Sequence, residues 1–301
     1  MSDKPEKKDE VKPEDSGKDG SVQSESQAEQ KVEEKQGESK PEEKVEVANV
    51  NTEIVGKKVF FLCPSVHIQN QIMDELTQQE FEMYAVKDTA HMTRLLKKYD
   101  DSVVYVNLDD NTYRSELEKW IESIRTAVPS VKIGVFSSTT DEEYKNKFIK
   151  KFDVTCGFIN LKMDMNKAAK KISETLENMK VKGRRKYLRV TTEHEISATV
   201  NLPHDGNFVK GTIKDVSVVG MSCVFDRDPP LANKTLYKDI QLRLQSMLLK
   251  AEAVVFGYRT DESGKRTYVL LFTQKISPDV RVKIRKYIHQ SLQNKIDSEL
   301  K

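Results

Sequence analysis

The pattern of apolar and polar positions changes near residues 56 and 182. Between these points, short apolar runs alternate with longer stretches whose apolar residues recur at helical spacing. The five apolar runs are KVFFLC (58–63), FEMYAV (81–86), SVVYVNL (102–108), VKIGVF (131–136) and DVTCGFI (153–159). Continuous apolar strands interleaved with helices are typical of a parallel sheet that is covered on both faces. The pattern therefore predicts a five-stranded α/β domain over residues 56–181.

Beyond residue 182 the apolar segments are rich in β-branched and aromatic residues, as in FVKGTIKDVSVVGMSCVF (208–225). Turn-forming pairs separate them, among them Asp205-Gly206 and Ser263-Gly264. This pattern predicts an antiparallel sheet that curls into a small barrel. Ser277-Pro278 is a signal for the start of a helix, with serine as N-cap and proline in the first turn. We therefore predict a β-barrel domain with a carboxy-terminal helix over residues 182–301.

Residues 1–55 have neither pattern. The first 50 contain no Phe, Trp, Tyr, Leu or Ile, and they carry 9 lysines against 15 acidic residues. Such a segment cannot bury enough apolar surface to offset its chain entropy, so we predict a disordered, low-complexity tail. Its net charge of −6 leaves +8 on the rest of the chain, since the total is +2. That surplus is compatible with an anionic ligand.

The amino terminus, MSDKPEKKDE, has no apolar core, and no run of 18 apolar residues occurs in the sequence. The sequence therefore predicts neither a secretory signal peptide nor a membrane span, and we expect a cytoplasmic protein. Cys63, Cys156 and Cys223 lie far apart among apolar residues, without a CxxC pair. We expect buried reduced thiols and no metal site.

The order and size of the α/β domain resemble the receiver domains of bacterial two-component regulators. That resemblance implies acidic residues after the first strand for magnesium, an aspartate after the third, a Ser or Thr after the fourth and a lysine after the fifth. The corresponding residues are Cys63-Pro64-Ser65, Asp109 or Asp110, Ser137-Ser138 and Lys162. Magnesium prefers carboxylate oxygens, and the first strand offers none. We therefore predict a degenerate receiver that is not phosphorylated.

Two short motifs occur in the barrel domain. Residues Arg185 to Arg189 spell RxxxR, directly after Arg184, and residues Asp215 to Gly220 spell DxSxxG. Taken separately, each fits a solvated linker or an ordinary turn. Together, on a barrel that is followed by a helix, they resemble the PilZ domain, the bacterial receptor for cyclic di-GMP. The resemblance covers about residues 183–295 and implies six ligand-binding residues, namely Arg184, Arg185, Arg189, Asp215, Ser217 and Gly220.

The chemistry of these residues suits that ligand, which offers two phosphodiesters and two guanines. The arginine fork matches phosphate oxygens and the O6/N7 edge of guanine in a bidentate manner, which lysine cannot do. Asp215 can accept from guanine N–H groups, and Ser217 can bond to a base or a phosphate. Gly220 lets the backbone turn tightly or approach the ligand closely.

The sequence thus predicts a bacterial cyclic di-GMP effector that couples ligand binding to domain rearrangement and to a protein partner. We expect no catalytic residues, no cofactor and no DNA partner. The alternative is a response regulator that is switched by phosphorylation at Asp109 or Asp110. A non-specific nucleic-acid binder is a second alternative, although the sequence lacks the aromatic platforms or recognition helix such proteins use.

Overall fold

A computed structural model of the protein describes residues 56–109, 114–192 and 197–301. The predicted disordered tail, residues 1–55, and the alternative phosphorylation site Asp110 lie outside these ranges.

The first part of the described chain forms a five-stranded, wholly parallel sheet. Its strands are β1 Val59–Leu62, β2 Met83–Val86, β3 Val103–Asn107, β4 Lys132–Ser137 and β5 Phe158–Asn160. They lie side by side in the order β2-β1-β3-β4-β5. That order is the doubly wound arrangement of the flavodoxin-like and receiver folds. The predicted receiver-like architecture is therefore confirmed.

Helices cover both faces of this sheet. They are α1 Asp74–Gln78, α2 Thr89–Lys98, α3 Arg114–Ala127, α4 Glu142–Lys150 and α5 Met165–Asn178. Alternate strand residues point to opposite faces, so Phe60 packs with the residues of α2, α3 and α4, and Phe61 packs with those of α1 and α5. The strands are buried on both sides, which explains their unbroken apolar runs.

Two elements differ from the sequence prediction. The first helix begins with a π-helical turn, Ile68–Met73, which runs into α1 without a break. The fifth strand covers only Phe158–Asn160 instead of residues 153–159. The chain turns just before it, at Gly157, whose φ of +86° suits glycine. Val154 and Cys156 are nonetheless buried. The apolar pattern therefore predicted correctly which residues are buried, but it predicted too long a strand.

The second part of the chain forms an antiparallel barrel. Its strands are β6 Arg189–Thr191, β7 Thr199–His204, β8 Asn207–Ser217, β9 Gly220–Phe225, β10 Leu236–Leu244, β11 Met247–Thr260 and β12 Arg266–Phe272. Six strands close a ring in the order β8-β7-β10-β11-β12-β9, and β9 pairs back onto β8. The short β6 pairs with the last residues of β8. The predicted small barrel is confirmed.

The final helix, α6 Pro278–Leu300, packs against both parts of the fold. The Ser277 hydroxyl oxygen caps it by accepting from the Val280 backbone N–H, as the Ser-Pro signal predicted. Ile284 and Ile288 lie in the core of the barrel, whereas Ile296 lies in the core of the parallel sheet. One helix therefore joins two apolar cores.

The second half of α6 also covers the edge strand of the parallel sheet. The Gln293 side-chain amide donates to the Ala85 carbonyl oxygen at 3.0 Å, and its oxygen accepts from the Ala85 N–H at 2.9 Å. Both bonds replace those of a missing strand neighbour at β2, so the helix satisfies an edge that would otherwise be open.

None of the helices in the described ranges is both long enough and apolar enough to cross a membrane.

Candidate ligand-binding site

The two motifs of the barrel meet on adjacent strands. Arg189 is the first residue of β6, and its backbone pairs with Ser217 at the end of β8. Asp215 lies two residues earlier on β8, and Gly220 follows the turn as the first residue of β9. We call this group the motif corner, defined as Arg189, Asp215, Ser217, Gly220 and Ser222. The barrel ladder thus brings together four of the six predicted site residues.

A carboxylate lies at the centre of the motif corner. The Asp215 Oδ1 atom lies 3.2 Å from Arg189 Nη1, and the Ser222 hydroxyl donates to Oδ2. Arg189 and Asp215 are diagonal neighbours across the β6–β8 pair, which is the spacing at which long side chains on one face meet. The Arg189 side chain is 43% exposed and that of Asp215 is 16% exposed. The Asp215 carboxylate is therefore held by two partners, and the Arg189 guanidinium is accessible to a ligand.

Ser217 is committed to the turn between β8 and β9. Its hydroxyl donates to the Gly220 carbonyl oxygen at 3.1 Å and lies 3.4 Å from the Val219 N–H. Only 2% of the residue is exposed. A direct contact between this hydroxyl and a ligand would require it to leave these partners.

Gly220 is required by the approach of another strand. A Cβ atom at this position would lie 2.4 Å from the Leu270 carbonyl oxygen, on the neighbouring strand β12. Real Cβ atoms do not approach backbone so closely, so every larger residue would displace β12 or β9. The structure therefore gives Gly220 a close approach to the protein's own backbone, in addition to the predicted approach to a ligand.

Arg184 and Arg185 lie before the ladder. Both are exposed, in a segment that is neither helix nor strand. We call residues 182–188 the entry segment, because it leads into β6. Its last residue, Leu188, packs against the barrel core and donates its backbone N–H to the Glu80 carboxylate at 3.1 Å.

Four residues outside the motifs also contact the site or the residues that support it, namely Ser222, Glu80, Arg281 and Arg285. Ser222 holds Asp215, as described above. Arg281 of α6 donates to the carbonyl oxygens of Val218, inside the DxSxxG motif, and of Thr273. Arg285, one helical turn further, pairs with Glu80 at 2.8 Å. Of these residues, only the two arginines could have been noticed in the sequence, because RVKIR (281–285) places both on one face of a predicted helix.

The carboxyl edge of the parallel sheet is the candidate site of the alternative function. Asp109 accepts from the Ser137 hydroxyl at 2.9 Å and from the Ser138 backbone N–H at 2.7 Å. Cys63 follows β1 here, and its carbonyl oxygen accepts from the Asn107 side chain at 3.0 Å. Lys162 is exposed and lines a different depression, with Thr139 and Lys171. Lys162 is not among the residues that line the cavity beside Asp109.

A cavity of about 1040 Å³ opens at this edge between the strand ends and α6. It is lined by Asp109, by Asp297 of α6 and by the pair Asp88–His91, among others. The backbone N–H of His91 bonds to Asp88 and holds the pKa of that carboxyl below its usual value. Within the part of the chain that the structure describes, no group of three or more His, Cys, Asp or Glu side chains is arranged to hold a metal ion.

Comparison with protein families matches the PilZ domain to residues 183–290. This segment is a PilZ domain. The match begins at the glycine before Arg184, includes both motifs and ends within α6. The last ten residues of α6, which contact the parallel sheet, lie beyond the matched PilZ domain.

Solved structures resemble each part separately. The PilZ domain with c-di-GMP of YcgR from Escherichia coli aligns with 17% identity and a TM-score of 0.33, over 38% of this chain and 96% of that one. The Bacillus subtilis inhibitor of motility aligns with 20% identity and a TM-score of 0.33, over 39% of this chain and 56% of that one. A response regulator from Thermotoga maritima aligns with 15% identity and a TM-score of 0.35, over 41% of this chain and 99% of that one. Among curated proteins, none matches the chain.

Proposed function

We propose that this protein is a bacterial cyclic di-GMP effector, a binding protein whose ligand site is the motif corner together with Arg184 and Arg185. The observation that carries the proposal is the ion pair between Arg189 and Asp215 across β6 and β8. It joins the RxxxR and DxSxxG motifs at one place on a PilZ domain. The PilZ domain of YcgR in the comparison above is a complex with c-di-GMP.

The site presents the cationic side chains of Arg184, Arg185 and Arg189 beside the rigid β6–β8 strand pair. Asp215 and the β6–β8 ladder orient the Arg189 fork, while its exposed face remains available for phosphate or guanine. Arg184 and Arg185 are exposed on the adjoining entry segment and can approach the ligand from a second side. Charge-assisted bonds of this kind are the strong class of hydrogen bond. We propose recognition without catalysis, because this chemistry binds an anion and activates no nucleophile.

An effector also needs a way to report that its ligand is bound. The helix α6 touches the DxSxxG turn through Arg281 and reaches the parallel sheet through Gln293. A ligand that binds one arrangement of these contacts better than another shifts the equilibrium between the arrangements. We propose that the altered surface acts on a protein partner in the cytoplasm.

Isothermal titration of the full chain with cyclic di-GMP tests the proposal, since it gives both affinity and stoichiometry. We expect saturable binding, with GMP and GTP competing poorly because neither offers two guanines on a closed ring of two phosphates. No heat of binding at high micromolar ligand would show that the proposed function is wrong.

A further inference from the structure

The receiver-like domain contributes a carboxylate to the support of the ligand site. Glu80 follows α1, and its side chain is only 8% exposed. It accepts from the Leu188 backbone N–H at 3.1 Å and from Arg285 Nε at 2.8 Å. These two donors belong to the entry segment and to α6, so a single carboxylate connects three parts of the protein.

The backbone of Glu80 is itself held in an uncommon conformation. Its φ is +65°, in the left-handed region that residues other than glycine rarely adopt. This conformation ends α1, because the Glu80 N–H donates to the Thr77 carbonyl oxygen at 3.0 Å and the Phe81 N–H donates to that of Leu76 at 3.3 Å, as in a Schellman motif. Here the conformation accompanies a buried carboxylate whose oxygens bond to the entry segment and to α6.

The Leu188 N–H lies at a decisive point of the site. Leu188 lies between the two arginines of RxxxR, directly before Arg189 and three residues after Arg185. The position of its backbone therefore influences the positions of both arginines. A hydrogen bond from a backbone N–H to a carboxylate is charge-assisted and shows a strong geometric preference. Glu80 thus fixes the end of a segment that has neither helical nor strand hydrogen bonds of its own.

The helix α6 braces both motifs from one face. Arg281 bonds to Val218 within DxSxxG, and Arg285, one turn on, orients Glu80 and through it Leu188 before Arg189. Residues four apart on a helix lie on the same face. The two arginines therefore link the motifs through α6.

We propose that Glu80 is a positioning residue for the cyclic di-GMP site, so that the receiver-like domain completes the geometry of a site that lies in the PilZ domain. This inference rests on the proposed function. Its consequence is that ligand affinity depends on a residue outside the matched domain and about 100 residues earlier in the chain.

The test compares three variants of the full chain. Glu80→Ala removes both bonds, and Glu80→Gln keeps an oxygen for the Leu188 N–H while it loses the ion pair with Arg285. Glu299→Ala is the matched control, because Glu299 also joins α6 to the receiver-like domain, through Lys98 and Tyr99, without contact to the entry segment. Hydrogen exchange of the Leu188 amide in ligand-free protein and titration with cyclic di-GMP are measured for each.

We expect Glu80→Ala to speed exchange of the Leu188 amide at least tenfold and to weaken cyclic di-GMP binding about tenfold, or 1.4 kcal/mol. Glu80→Gln should lie between Glu80→Ala and the wild type in both measurements, and Glu299→Ala should match the wild type.

Equal binding by the wild type and Glu80→Ala, or tighter binding by the variant, would overturn this inference and leave the proposed function intact. An equal loss in Glu299→Ala would also overturn it, since general loosening of the domains would then explain the effect. If the wild type itself binds no cyclic di-GMP, the proposed function is wrong, and this inference is wrong with it. Glu80→Gln and the exchange measurement keep the comparison decisive if Glu80→Ala folds poorly.

Discussion

Asp109 and Asp215 are two half-buried carboxylates, one just after the end of β3 and one within β8, and each contacts two partners. The partners of Asp109 are neutral, the Ser137 hydroxyl and the Ser138 N–H. Asp215 instead pairs with an arginine whose side chain is 43% exposed, as well as with the Ser222 hydroxyl. The first carboxylate closes the end of a sheet, whereas the second orients a cation towards solvent.

A carboxylate takes its function from its neighbours. In the receiver pattern, acidic residues after the first strand bind the magnesium ion that phosphorylation requires. Here Cys63-Pro64-Ser65 occupies their place. At the motif corner, every strand that reaches the site still carries its motif residue. We predict that the loss of one strand's contribution is enough to remove the phosphorylation that the other strands would serve.

The largest effect is expected from removal of the exposed cation, Arg189. Arg189→Ala should weaken cyclic di-GMP binding about 10- to 1000-fold, since each charge-assisted bond is worth about 1.5–3 kcal/mol. Arg189→Lys should also bind poorly, because a point charge cannot reproduce the planar fork. Titration measures both, and circular dichroism checks that the barrel is folded.

Arg259→Ala is the matched control, since Arg259 is an exposed strand arginine outside the motif corner. Wild-type affinity in Arg189→Lys, with the same steep salt dependence as the wild type, would mean that the basic segment is only an electrostatic patch.

The second test separates backbone packing from ligand contact at Gly220. Gly220→Ala should lower the free energy of unfolding by about 1–3 kcal/mol, because its Cβ would meet the β12 backbone. Gly257→Ala, also in a strand, has no atom within 4 Å of its added Cβ and should change stability by less than about 1 kcal/mol. Urea denaturation compares the two. Equal stabilities would mean that β12 adjusts freely and that Gly220 serves the ligand alone.

A third test compares the two carboxylates directly. Asp109→Asn should cost about 1–2 kcal/mol of stability, because an amide cannot accept through both of its polar atoms from Ser137 and Ser138, and it should leave ligand affinity unchanged. Asp215→Asn should weaken cyclic di-GMP binding about tenfold, since the charge that orients Arg189 is lost. Denaturation and titration of both variants give the four values. A loss of affinity in Asp109→Asn would contradict the division of roles.

The smallest expected effect is that of phosphoryl analogues. Beryllofluoride or acetyl phosphate with magnesium should produce no adduct and no chemical-shift change at the carboxyl edge, because Asp109 is already bonded and β1 ends without an acid. Mass spectrometry and chemical-shift mapping measure this. A stable adduct on Asp109, or on Asp110 outside the described ranges, would favour the response regulator.

The sequence by itself determined the order of elements and the fold class. Apolar runs and helical spacing are local properties, so they predicted the parallel sheet, the barrel and the serine cap of α6. The two motifs predicted six ligand-binding residues, of which Arg189, Asp215, Ser217 and Gly220 lie together at the motif corner. The roles of the six predicted residues in ligand binding, and the domain boundaries at 55 and 181, remain predictions.

Only the tertiary structure decided which groups face one another. Arg189 meets Asp215 because β6 pairs with β8, Glu80 meets Leu188 across 108 positions of sequence, and α6 covers the edge of a sheet that begins more than 200 residues earlier. Residues so distant in sequence leave no periodic signal, because their proximity depends on how whole elements pack. Gly220 shows the same limit, since the strand that forbids a side chain there lies 50 residues further along the chain.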